Sequence, residues 1–295
     1  MGRELSFTVA EEERRRGVQS VLRGRGVSRR LLTKLKNEPG GILLNGQSAR
    51  GVDTCKPGDV LAIRIPADPV LPTATPLPLD ILYQDADMLI VNKPAKLAMH
   101  PTHGVQGATL AGAVTAHLEQ TGSPGAFRAI GRLDRSTSGL VLCALHSYAA
   151  FALAQSAKKT YSALVLGEYH GSGTINRAIY RPKPHCTLRA CREANAAPLP
   201  GDLPAITHWQ SLACADGVSY LVIRLETGRT HQIRTHFAAL GTPLLGDDYY
   251  GAPALPAGRA FLHCGQMQLT HPVDGRMLSF SAPLPEDMAQ IVNKM

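Results

Sequence analysis

The chain has 295 residues, with 31 Lys and Arg against 23 Asp and Glu and a formal net charge of +8. That length has room for a catalytic domain and a small accessory one. Six cysteines without a Cys-x-x-Cys pair speak against a disulfide-framed secreted module and for reduced thiols in a cytoplasmic protein. The N-terminal stretch through Glu11-Glu12-Glu13 lacks the apolar core of a signal peptide. Residues 1–65 hold 13 basic against 7 acidic side chains, a net +6, and the remainder only +2. Such asymmetry points to a polyanionic partner, nucleic acid first and an anionic membrane surface second.

In chain order, the first periodic segment is 27–36. Leu31, Leu32 and Leu35 fall on one face behind Ser28, a capping residue, and predict a helix. Arg29, Arg30, Lys34 and Lys36 are left on its outer side for solvent or phosphate. Pro39-Gly40-Gly41 predicts a turn into a strand at 42–44, Asn45-Gly46 a hairpin, and 60–65 a further strand. Residues 66–79 carry five prolines, which lack the amide donor needed inside a ladder or helix. They predict a semi-extended linker between a domain at 1–65 and another at 80–295.

Beyond the linker, 81–85 and 88–94 read as short strands around a turn. Residues 136–157 contain no Lys, Arg, Asp or Glu and have the length of a membrane span, but Gly139, His146 and Gln155 interrupt it. A buried strand at 140–145 and a short helix at 148–157 fit better. Strands are predicted at 161–165 and 218–226, and a helix at 230–240 stopped by Gly241 and Pro243. On that helix Ile233, Phe237 and Leu240 share the apolar face, with Arg234 beside it and able to point into a cleft. Residues 171–205 have no readable pattern. The interleaving predicts an α+β fold: a mixed, largely antiparallel sheet with flanking helices, preceded by a small basic α/β domain.

The segment Gly131-Arg132-Leu133-Asp134-Arg135-Ser136-Thr137-Ser138-Gly139-Leu140 sets one carboxylate between two arginines at the entrance of an apolar strand. Taken alone, Asp134 fits two descriptions, an acid that fixes a turn or a nucleophile or base of a site. The segment resembles the signature of the RluA-type pseudouridine synthases. Two further blocks match that family in the same order. One is Lys159-Thr160-Tyr161-Ser162-Ala163; the other is Thr227-Gly228-Arg229-Thr230-His231-Gln232-Ile233-Arg234, continuing to Leu244-Leu245-Gly246-Asp247-Asp248-Tyr249-Tyr250-Gly251. Asn92-Lys93-Pro94 resembles the block that opens the same catalytic domain. Residues 14–65 are similar to a small RNA-binding domain shared with a ribosomal protein and many rRNA-modifying enzymes.

The resemblance implies an RNA pseudouridine synthase that works without a cofactor. Asp134 would attack or deprotonate the nucleoside as the bond between ribose C1′ and uracil N1 breaks, after which uracil rejoins through C5. Arg234 would be its partner cation, in a charge-assisted pair suited to the guanidinium fork within a water-excluding cleft. Tyr161 would stack on the withdrawn uracil and Arg132 would fill the vacated space. Arg229, His231 and Gln232 are expected to bind substrate, and Arg29, Arg30, Lys34 and Lys36 to bind RNA. Two departures stand out: Gly131 where a His usually precedes the Arg, and Lys96 where a Gly is common. The expected partner is RNA, large-subunit rRNA first and tRNA second, with no membrane and a monomeric enzyme. Eleven histidines, including His231 with His236 and His263 beside Cys264, fit no zinc spacing, so no metal is expected. The rivals are an inactive RNA-binding assembly factor and a base-excising hydrolase, although most glycosidases need two carboxylates and the motifs offer one.

Overall fold

The computed structural model describes residues 2–68, 72–101, 108–184, 186–194, 196–197 and 199–295. Its large sheet runs, in spatial order, Ser172–Asn176, Ile206–Ala215, Val218–Leu225, Lys158–Leu166, Leu262–Thr270, Ser138–Ala144, Met88–Lys93 and Asp80–Gln84. Neighbours on this path are antiparallel, except that Leu262–Thr270 and Ser138–Ala144 are parallel. This is the mixed, largely antiparallel α+β fold that the sequence predicts. Strands Met88–Lys93 and Ser138–Ala144 are buried on both faces, which is why they read as continuous apolar runs. Gly139 permits the parallel contact: its φ is +109°, and a Cβ there would stand 2.3 Å from the Cys264 carbonyl oxygen.

Residues 3–65 build a second sheet, in the order Arg3–Thr8, Val60–Ile65, Ile42–Leu44 and Gln47–Ser48, with helices Val18–Gly24 and Arg29–Asn37. Ser28 caps the second helix, its Oγ accepting from the Leu31 amide at 3.2 Å. Leu22, Leu35, Leu61 and Ile63 form a core of their own, and into it reaches Tyr148 from helix Ser147–Ser156 of the larger body. The Tyr148 hydroxyl donates to the Arg25 carbonyl at 2.8 Å. Beside it Arg3 Nε donates to Asp87 Oδ1 at 2.9 Å, the oxygen that also meets His146 Nε2 at 2.9 Å. Burial opposes the charge on Asp87, but these two partners hold its carboxyl down to about 2.

Of the proline-rich linker, residues 69–71 lie outside the described residues. The flanking parts have no regular structure but are pinned to the body. Thr75 donates its amide to the Gly112 carbonyl at 3.0 Å, and Asp68 pairs with Arg128. The helix expected at 230–240 is shorter, Gln232–Ala238, because His231 in the left-handed region (φ 56°) sets its start. Leu240 therefore falls past its end and is exposed rather than on the core face. Among the described residues no helix is long and apolar enough to cross a membrane.

Candidate active site

Asp134 stands in the turn between strands Arg128–Ala129 and Ser138–Ala144. The Thr137 amide donates to the Asp134 carbonyl at 3.1 Å and closes that turn. Two further bonds tie it to the loop after Lys93-Pro94: Lys96 N to the Arg135 carbonyl at 2.7 Å, and Arg135 Nε back to the Lys96 carbonyl at 3.1 Å. Lys96 holds a φ of 68°, a conformation that a glycine adopts at less cost.

Arg234, buried on its helix, donates from Nη1 to Asp134 Oδ2 at 3.3 Å. Its Nε and Nη2 each reach one oxygen of Asp247 at 2.7 Å. Burial works against the guanidinium's charge, yet the two carboxylates raise its pKa above the ordinary value. The pair expected from sequence is present in a different form: the fork closes on Asp247, and Asp134 receives one prong. Nor does the cleft exclude water. The Asp134 side chain keeps 22% of its surface exposed, in a cavity of about 810 Å³ that opens to solvent.

Three more side chains surround the carboxylate. His231 places Nε2 3.9 Å from Asp134 Oδ1, and burial lowers its pKa. Tyr161, from strand Lys158–Leu166, lines the same cavity, and burial raises its phenol well above the ordinary value, so it stays neutral. Lys93 is fully buried, donating to the carbonyls of Pro94 at 2.8 Å and Leu97 at 3.0 Å. Burial pushes its ammonium down to about 7, with the Asp134 charge pulling the other way. Thr137 adds a buried Oγ1 at the cavity wall that has no partner among the described residues.

A sequence profile described as RNA pseudouridylate synthase matches residues 87–239, the stretch that carries Asp134, Tyr161 and Arg234. The chain belongs to the RNA pseudouridylate synthase family. It is 34% identical over 275 residues to the uncharacterized RNA pseudouridine synthase YjbO of Bacillus subtilis (strain 168), covering 90% of this chain and 95% of that protein. Its identity to the ribosomal large subunit pseudouridine synthase D of Nitrosomonas europaea is 36% over 235 residues, or 74% of this chain and 66% of that one. The solved structure of human RNA pseudouridylate synthase domain containing 1 aligns with a TM-score of 0.54 at 26% identity, covering 74% of this chain and 94% of that chain.

In this pseudouridine synthase the residues singled out from sequence fall into three groups. Asp134, Tyr161, His231 and Arg234 surround one cavity together with Arg132 and Arg229. Arg132 donates from Nη2 to Thr230 Oγ1 at 3.1 Å, and Arg229 from Nε to the Pro204 carbonyl at 3.0 Å. Gln232, expected to bind substrate, also lines the cavity but is buried, with its amide bonded inside the protein. Its Oε1 accepts from Thr227 Oγ1 and the Arg229 amide, and its Nε2 donates to the Ile206 carbonyl and Thr207 Oγ1. It braces the loop that carries Arg229. Arg29, Arg30, Lys34 and Lys36 form a separate exposed row on the N-terminal helix.

Gly131 has a φ of 71°, and a Cβ there would lie 3.2 Å from Lys159 Nζ, which donates to the Ile130 carbonyl at 2.8 Å. A His at 131 would need a left-handed backbone and would press on that buried ammonium. Both ring nitrogens of His236 and of His263 are taken by hydroxyl and carbonyl partners. Among the described residues, Asp85, Asp87 and His271 have ligand spacing, but Tyr83, Arg3, His146 and two backbone amides already occupy the carboxylates. Asp247, Tyr250 and Lys93 carry no role legible in the sequence. Each lay in a block that matched the family, and only the fold shows what each one touches.

Proposed function

We propose that this synthase converts uridines to pseudouridine in large-subunit ribosomal RNA, with Asp134 acting at the nucleoside. The observation that carries the reading is the Asp134 carboxylate, held by buried Arg234 yet partly open to a cavity large enough for a withdrawn nucleotide. In this account the C1′–N1 bond breaks with Asp134 at the nucleoside. Uracil is kept against the Tyr161 ring while it turns, and a C1′–C5 bond forms. C5 gives up a proton and N1 gains one, so atoms and electrons balance without a cofactor.

Ribosomal RNA is favoured by the likeness to the ribosomal large subunit synthase of Nitrosomonas europaea and by the basic N-terminal unit. That unit attaches at Asp87 and His146, while Lys93 and Asp134 lie toward the other end of the same strands. Six strand residues separate the two ends by roughly 20 Å. An RNA that touches both must be a folded, extended element, with Arg29, Arg30, Lys34 and Lys36 on its phosphates and Arg132, Arg229 and His231 near the target. The enzyme is proposed to act as a monomer in the cytoplasm. Mapping pseudouridines in cellular RNA with and without the protein tests the reading: a large-subunit site should disappear on deletion, and loss confined to tRNA would contradict it.

A further inference from the structure

The block at 244–251 and the start of helix Gln232–Ala238 meet at one hydroxyl. Tyr250 Oη accepts from the Arg189 amide at 3.1 Å and from Thr235 Oγ1 at 3.1 Å, and it lies 2.9 Å from His231 Nδ1. A phenolic oxygen has room for two acceptor contacts and carries one hydrogen. Since both acceptor positions are filled, the hydrogen goes to His231. Nδ1 is then an acceptor, and the proton of the neutral ring sits on Nε2. That nitrogen faces Asp134 Oδ1, the carboxylate oxygen Arg234 leaves free, because Arg234 bonds Oδ2. The ring is also fixed from its sides: Tyr249 and Tyr250 meet it edge-on at 5.8 and 5.7 Å.

We propose that Tyr250 is a positioning residue of the synthase reaction: it holds His231 in the Nε2–H form and aims that N–H at the gap beside Asp134 Oδ1. The proposal rests on the reading of Asp134 as the group that acts at the nucleoside. At 3.9 Å the N–H is too distant to bond the carboxylate directly. The gap admits a substrate oxygen that accepts from Nε2 while it lies against Oδ1. A neutral ring supplies this donor without handing a proton to the carboxylate. Burial favours the neutral form, Arg234 and Arg189 favour it further, and Asp134 and Asp247 oppose it. The bond from Arg189 also joins the otherwise irregular segment before strand Ala190–Cys191 to the site.

Nitrogen-15 NMR of the histidine-labelled full chain tests this, with His231 assigned by the signals that vanish in His231→Gln. Wild type should show the Nε2–H tautomer from pH 6.5 to 8, and Tyr250→Phe a mixture of both forms. A wild-type ring protonated on Nδ1 would overturn the proposal, and this arm needs no variant to fold. The kinetic arm uses 5-tritiated large-subunit rRNA transcripts. Tyr250→Phe should lower kcat about tenfold, the scale of one neutral hydrogen bond, with little change in KM. A Gln amide at 231 places its nitrogen near the Nε2 position whatever Tyr250 does. Adding Tyr250→Phe to His231→Gln should therefore change kcat less than about twofold. An undiminished tenfold loss in that background would make Tyr250 a packing residue only. Full activity of Asp134→Asn would instead remove the reading of the carboxylate while leaving the tautomer result intact.

Discussion

Asp247 grips Arg234 with both carboxylate oxygens at 2.7 Å and leaves only Nη1 for Asp134, at 3.3 Å. The guanidinium is thereby a fixed post whose Nη1 is aimed at Asp134 by a carboxylate outside the cavity wall. Asp247 is nearly inaccessible, so its loss would leave the buried cation with only the longer, partly exposed contact to Asp134. Asp247→Ala is expected to lower stability by about 3–5 kcal/mol, the cost of breaking a buried pair from one side. Asp134→Asn leaves Arg234 with its stronger partner and should cost within about 1 kcal/mol. Urea unfolding of the two variants checks the ordering.

Arg234→Met should reduce turnover about a hundredfold or more, the scale of removing one preorganised charge donor. Arg234→Lys keeps the charge, but a point ammonium cannot face two carboxylates as the planar fork does. It should recover only a minor part of the rate. Single-turnover tritium release at fixed enzyme excess reads the chemical step for both, and equal rates in Lys and wild type would assign the site a need for charge alone.

Much of this arrangement was legible in the sequence because its parts are local. Ser28 capping a Leu31/Leu32/Leu35 face, the Asn45-Gly46 hairpin and the charge-free run around Leu140–Leu145 each reflect forces within a few residues. Asp134, Tyr161 and Arg234 each stand in a motif, and the fold brings them together across a hundred residues of chain. What could not be read depends on partners distant in sequence. Gln232 looks like a polar residue for substrate until Thr207 and Ile206 arrive from another strand. Tyr148 looks like an ordinary helix aromatic, and its burial comes from a core built by residues 5–65. Strand Arg3–Thr8 does alternate, with Leu5 and Phe7 between polar neighbours, but the run is short and the strand is completed by pairing with Val60–Ile65, more than fifty residues away.

Lys93 gives a pH signature. Its ordinary value is 10.5 and burial brings the folded value to about 7. Between those values the unfolded chain holds more protons at this residue, so its contribution is greatest above pH 10.5 and is lost as pH falls toward 7. The slope in the middle of that window is about 1.4 kcal/mol per pH unit. The stability difference between wild type and Lys93→Met, followed by urea unfolding from pH 8 to 9.5, should rise at this rate. Comparing the two proteins cancels ionisation elsewhere. A flat difference would mean that Lys93 stays charged in its buried site.

The N-terminal row should act through phosphates alone. Replacing Arg29, Arg30, Lys34 and Lys36 with Gln is expected to weaken binding of large-subunit rRNA fragments. It should also lower the log–log salt slope by about 0.7–0.9 for each phosphate no longer neutralised. Because all four side chains are exposed, the thermal midpoint should hardly move. Filter binding at several salt concentrations reads the slope, and an unchanged slope would leave the row a solubility feature.

Asp134 is the residue on which catalysis is expected to depend most directly. Wild-type enzyme and Asp134→Asn, each as the full chain, can be incubated with large-subunit rRNA transcribed with 5-tritiated uridine, with tritium release and RNA binding measured on the same samples. Asn keeps the shape of the side chain and removes the reactive carboxylate. The expected result is tritium release by wild type, a loss of about a thousandfold or more in Asp134→Asn, and RNA affinity within about twofold of wild type. Wild-type release from Asp134→Asn would contradict the account and leave Asp134 as a structural acid in a turn.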